Sequence, residues 1–288
     1  MLKKWYFCNL NPVFMAERKQ ITVDVEEVLR AKMGKKAALV PRFAVNWLKR
    51  IIHQDQVNAF LIEHQDEEGL QWLHSALDYM QLNLRVCGEE NLPADGAGRY
   101  TFVSNHPLGG IDGVVIGTLL GDRYHGRVRY LLNDLLMNLP GLRPLGVPVN
   151  KTGAQNRHTV RLVDEVFRSD NQVILFPAGL CSRLIKGKVV DLPWKKTVIQ
   201  KSVESHRDIV PIHFYGENSR RFYRIANIGK RLGLKFNIAM LFLVDEVYKN
   251  IPGSFELHIG QPIPWQTFDR SRSPQEWAQW LRARVYEL

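Results

Sequence analysis

His106 and Asp112, six positions apart across the pair Gly109-Gly110, are the residues of this chain most suited to chemistry. An imidazole near neutral pKa can take a proton from a hydroxyl or amine as that group attacks. A carboxylate on its other nitrogen fixes tautomer and orientation. The pair suits acyl transfer from a thioester, whose thiolate leaves with little acid help. Gly109 and Gly110 permit close backbone approach, and their N–H groups are candidate donors to a developing oxyanion. Asn105-His106-Pro107 is equally a plain turn, in which the histidine only bonds to backbone. A second string, Phe176-Pro177-Ala178-Gly179-Leu180-Cys181-Ser182-Arg183, ends in a planar cation suited to carboxylate or phosphate. Lys186 and Lys188 would extend that anion surface, whereas pairing of Arg183 with an acidic neighbour is the structural alternative.

Positioning these groups calls for a strand that stops just before His106 and a helix that starts near Asp112. The apolar run Tyr100–Ser104 supplies the strand, and open α/β sheets build their sites at such C-terminal strand edges. Further strands are predicted at 128–132, 147–149, 173–176, 209–215 and 255–259. Helices are predicted at 112–120, 156–168, 194–204 and 274–288. Alternation of this kind indicates an α/β fold with a mixed, largely parallel central sheet flanked by helices. The first eighty or so residues read as helical. Asp24 is a candidate cap, Gly34 a stop and Pro41 a helix start, and Leu70, Leu73, Leu77 and Met80 repeat at helical spacing. The expected organisation is an N-terminal helical region, 1–83, followed by the chemistry-bearing domain, 84–288.

With 288 residues, 45% of them hydrophobic, the chain can bury a substantial core. Its longest apolar stretch, 236–244, is too short for a bilayer span of about 20 residues, and no signal-peptide pattern is evident. Three cysteines (Cys8, Cys87 and Cys181) without paired spacing argue against a disulfide framework or a zinc site. The net charge of +10 is concentrated near the start and across 183–231, which points to an anionic partner. Trp5, Phe7 and Phe14 among basic residues read as an interfacial anchor or as ordinary packing. Leu135, Leu136, Met137, Leu139 and Leu142 are candidates for an apolar groove or for generic core. Cys181 and His213 read as packing residues rather than nucleophile or second base. No recognisable nucleic-acid motif accompanies the charge.

Ser104-Asn105-His106 with its following aspartate, and Phe176-Pro177-x-Gly179-x-x-Ser182-Arg183, resemble the glycerolipid (lysophosphatidic-acid-type) acyltransferase superfamily. Val210-Pro211-Ile212 and Ile259-Gly260-Gln261-Pro262-Ile263 match its later motifs, so the resemblance spans roughly 84–265. Three departures stand out. Five residues rather than four separate His106 from Asp112, Ala178 and Leu180 replace the motif glutamate and threonine, and Asn150-Lys151 stands where an arginine is common. These features are more similar to a hemolysin-like bacterial branch linked to N-acylated amino-acid lipids.

The resemblance implies His106 and Asp112 as the catalytic pair. Gly109, Gly110, Gly179, Ser182, Arg183 and Lys151 would bind substrate, with Arg183 or Lys151 on the acceptor's carboxylate or phosphate. It implies direct transfer from acyl carrier protein or acyl-CoA, with neither metal nor redox cofactor. The expected acceptor is the amine of a small amino acid such as glycine. The alternatives are O-acylation of a lysophospholipid and an inactive lipid- or carrier-binding module. The expected setting is cytoplasmic, on the anionic inner face of the membrane, with a small-molecule or lipid acceptor and no nucleic acid.

Overall fold

Residues 22–149, 157–231 and 238–288 are described by the structure, a computed structural model. Helices α1 (Val25–Met33), α2 (Arg42–Ile51), α3 (Gln54–Glu63) and α4 (Leu70–Met80) come first. Then follow β1 (Leu82–Cys87), β2 (Tyr100–Ser104), α5 (Ile111–Arg123), β3 (Val128–Asn133), β4 (Gly146–Val149), α6 (Arg157–Arg168) and β5 (Gln172–Leu175). The remainder is β6 (Arg183–Ile185), β7 (Lys188–Val190), α7 (Thr197–Glu204), β8 (Asp208–Tyr215), α8 (Arg220–Arg231), α9 (Phe242–Asn250), β9 (Gly253–Ile259) and α10 (Pro274–Tyr286). Two 3-10 turns, Asp134–Asn138 and Pro140–Leu145, link β3 to β4.

Local chemistry explains the helix ends. The Asp24 carboxylate accepts the Glu26 N–H at the start of α1, and Gly34, at φ 56°, stops it. Ser273 and Glu276 form a capping box around α10, with Pro274 in its first turn.

Seven strands form one sheet in the order β1-β9-β8-β2-β5-β3-β4. Every pair is parallel except β8 with β9, so the sheet is mixed and largely parallel, as the alternating pattern predicts. Central strand β2 lies between β8 and β5 and, with helices on both faces, is buried from Thr101 to Ser104. Alternate residues supply two cores. Phe102 and Ile174 pack with α4 and α5, whereas Val103, Val173 and Leu175 pack with α6, α7 and α10. Leu61, Trp72, Leu73 and Ala76 of the N-terminal helices join the first of these cores.

The structure adds β1, α8, α9 and the β6–β7 hairpin to the elements that the pattern predicts. Lys186 and Gly187, at φ 49° and 81°, make the hairpin's two-residue turn. Below the start of β2, fully buried Arg207 donates to the carbonyls of Phe167, Tyr100, Asn171, Val166 and Ser169. Those bonds stitch the ends of β2 and α6 to the loop before β5.

Candidate active site

The chain leaves β2 at Ser104 and turns sharply. The buried Asn105 carboxamide accepts the Phe214 N–H at 2.7 Å and donates to the Phe214 carbonyl at 2.9 Å, which ties the turn to β8. His106 follows, its ring stacked on Phe176 at the end of β5, with centroids 4.1 Å apart. Its side chain is 17% exposed, and its Nδ1 lies 3.1 Å from Asp112 Oδ2.

Asp112, in the first turn of α5, is wholly buried. Its Oδ2 also accepts the N–H groups of Leu108 (3.0 Å) and Gly109 (3.3 Å), and its Oδ1 accepts that of Gly113 (2.9 Å). Burial pushes the carboxyl pKa up, but the His106 charge and hydrogen bond and the Leu108 and Gly109 amides outweigh it. The net shift is downward. The five-residue spacing therefore closes as a loop wrapped around the carboxylate. Gly109 takes φ 84° there, and a Cβ on it would stand 2.5 Å from Cys181 Sγ. This geometry corrects one expectation: the Gly109 N–H faces Asp112 and is not open to an oxyanion. Gly110, at the N-cap of α5, lines the cavity.

That cavity, about 360 Å³, opens beside His106 and is mainly apolar. Val114 of α5, Leu132 of β3 and Trp72 of α4 contribute walls, as do Leu136 and Leu142 of the 3-10 turns and Leu139 between them. Three leucines that the sequence left between groove and core thus belong to the groove. Gly179 and Lys195 supply a polar end near the Phe176–Pro177 turn. Lys195 stands in a basic run of the sequence, and periodicity alone gave no reason to single it out.

The arginine loop sits against the histidine turn. The Ser182 N–H donates to the His106 carbonyl at 2.8 Å. The Ser182 hydroxyl is buried and donates to Asp191 at 2.6 Å, so it faces the interior. Arg183 Nη1 donates to the carbonyls of Cys181 (2.6 Å) and Ser182 (3.1 Å), and the guanidinium lies over the Phe222 ring of α8. Burial draws its pKa down, and no ion pair engages it among the described residues. It is not among the residues lining the cavity. Lys151 and the aromatic trio Trp5, Phe7 and Phe14 lie outside the described residues.

Two residues here escaped sequence reasoning: Phe176 as the ring under His106, and Asp191 as a buried acceptor for the His106 N–H at 3.2 Å. At the sheet's edge, Cys87, Glu256 and His258 bring a sulfur, an oxygen and a nitrogen within 4.8 Å of one another. There His258 already engages the Leu288 carbonyl through Nδ1 and Glu256 through Nε2.

Comparison with known proteins adds names. A protein of Phocaeicola vulgatus called lyso-glycine lipid O-acyltransferase is 52% identical over 274 residues, covering 95% of this chain and 98% of its own. A protein of the same name from Bacteroides thetaiotaomicron is 51% identical over 274 residues, covering 95% and 100%. The crystal structure of the 1-acyl-sn-glycerophosphate (LPA) acyltransferase PlsC from Thermotoga maritima matches with TM-score 0.51 and 18% identity, covering 91% of this chain and 95% of its own. At that identity the match speaks to the fold.

The relatives' names overturn the expected acceptor. They specify O-acylation of a lyso lipid, whereas the sequence reading favoured the amine of glycine. One general base serves either nucleophile, so the motif could not separate them. The family model described as acyltransferase matches residues 27–288, and the chain belongs to that family, within the glycerolipid acyltransferase superfamily: it is an acyltransferase of lipid metabolism.

Proposed function

We propose that this enzyme moves a fatty acyl group from a thioester to the hydroxyl of a lyso-glycine lipid, completing a two-chain lipid. The observation that carries the reading is the His106–Asp112 pair at the mouth of the apolar cavity, a volume within the range of small-molecule sites. The donor's acyl chain occupies the cavity with its carbonyl beside His106. The acceptor hydroxyl gives its proton to His106 Nε2 as its oxygen attacks the carbonyl carbon. Asp112 holds Nδ1–H and stabilises the imidazolium. Collapse of the tetrahedral intermediate forms the ester and expels the thiolate. An alkanol needs this help more than a free amine does, because its oxygen is a poor nucleophile until the proton leaves.

Lys195 at the polar end, with Lys196 next to it and Lys186 and Lys188 on the hairpin, favours an anionic donor such as acyl carrier protein or CoA. The approach is from a membrane surface. Leu39 is 80% and Phe43 77% exposed, Trp47 is also exposed, and Lys35, Lys36, Arg42 and Arg50 surround them. No helix among the described residues is long and apolar enough to cross a bilayer.

The test offers purified enzyme an acyl thioester with either lyso-glycine lipid or lysophosphatidic acid and identifies products by mass spectrometry. An ester of the lyso-glycine lipid supports the reading. Product from lysophosphatidic acid alone refutes it.

A further inference from the structure

Asp191, on the segment between β7 and α7, is 1% exposed and reaches the underside of the histidine turn. Its Oδ1 accepts the His106 N–H at 3.2 Å and the Ser182 hydroxyl at 2.6 Å. Its Oδ2 accepts Trp194 Nε1–H at 2.8 Å. The peptide of Asp191 is held as well. Its N–H donates to the Tyr286 hydroxyl at 2.8 Å, and its carbonyl accepts from Arg282 at 2.7 Å, both on α10. Together with the Ser182 N–H on the His106 carbonyl, this fixes the backbone of residue 106 on both sides.

All three groups that meet the Asp191 carboxylate are donors. A carboxylate offers only acceptors, whereas an amide would turn an N–H toward one of them. Burying a charge is costly unless it is hydrogen-bonded, and these three donors meet that need. Burial pushes the Asp191 pKa up, and the hydrogen bonds from Ser182, Trp194 and His106 pull it back without cancelling that.

We infer that Asp191 is a positioning residue. Through the peptide of His106 it sets where the imidazole stands against the Ser182–Arg183 loop. This rests on the reading of His106 as the base. The other charged groups around the turn are Asp112 on α5, Lys195 on the cavity wall and Arg183 on β6.

Asp191→Asn removes the charge and keeps the shape. Its kcat falls about tenfold or more while the KM for acyl-CoA stays within about twofold. A KM that rises as far as kcat falls, or a loss of rate that only tracks the folded fraction, overturns the inference. If Asp191→Asn does not fold, two neighbours carry the test. Ser182→Ala, loosening the end beside His106, lowers kcat about tenfold, and Trp194→Phe, loosening the far end, changes it less than about twofold. Equal effects overturn the inference. A fully active His106→Ala would instead refute the underlying base assignment, so the two failures are distinguishable.

Discussion

Asp112 Oδ2 lies 3.1 Å from His106 Nδ1 while also accepting the Leu108 and Gly109 amides, so one buried oxygen orders both the ring and the loop between them. Asp112→Asn therefore disturbs the tautomer of His106 as well as the loop. Its kcat is expected to fall roughly a thousandfold, measured by ester formation at saturating substrates. A depressed folded pKa contributes stability that is present above the unfolded value, near 3.8, and is lost as pH falls through the lower folded pKa. Wild type should exceed Asp112→Asn in Tm at pH 7, and the gap should narrow below pH 3.8.

Arg207 meets five carbonyls in the interior, and removing it takes a donor from each, although the Val166 carbonyl keeps the Ser169 N–H and hydroxyl. Arg207→Met should cost about 3–5 kcal/mol in urea unfolding, a penalty typical of breaking a buried charged network. A loss under about 1 kcal/mol would show that the carbonyls find other partners.

His213 on β8 has a buried Nδ1 without a hydrogen-bond partner among the described residues. Burial, followed by the nearby His258, lowers its pKa to about 4. Between pH 6.5 and 4 the unfolded chain takes up a proton that the folded chain does not, so stability drops as pH falls through this window. His213→Phe should lose less Tm than wild type between pH 7 and 5. Parallel losses would assign acid lability to other groups.

Val114 lines the cavity one turn along α5 from Gly110. Val114→Phe should cost long-chain donors more than short ones, at roughly fourfold in kcat/KM per methylene displaced, from about 0.8 kcal/mol each. A uniform loss across acyl-CoA chain lengths would place the chain elsewhere.

Much of this frame is legible in the sequence. The apolar runs at Tyr100–Ser104 and Ile209–Tyr215 mark the two central strands that the Asn105 carboxamide joins. His106 and Asp112 declare themselves because local spacing encodes their meeting. Asp191 does not, since it lies 85 positions from His106 and only tertiary packing brings it there. Ser182 and Arg183 were legible as a motif, but not in orientation: the hydroxyl turns inward and the guanidinium lies against Phe222. The β6–β7 hairpin escaped because three-residue strands carry too little periodicity to register. The acceptor's nucleophile, oxygen rather than nitrogen, leaves no mark on a general base and came from relatives.

If His106 removes the acceptor's proton, His106→Gln leaves the hydroxyl without a base. Purified wild type and variant are supplied with lyso-glycine lipid and an acyl thioester, and the ester is quantified by mass spectrometry alongside lipid binding. The expected result is a rate loss of about a hundredfold or more with lipid binding retained. A variant that forms the ester at close to the wild-type rate would contradict it.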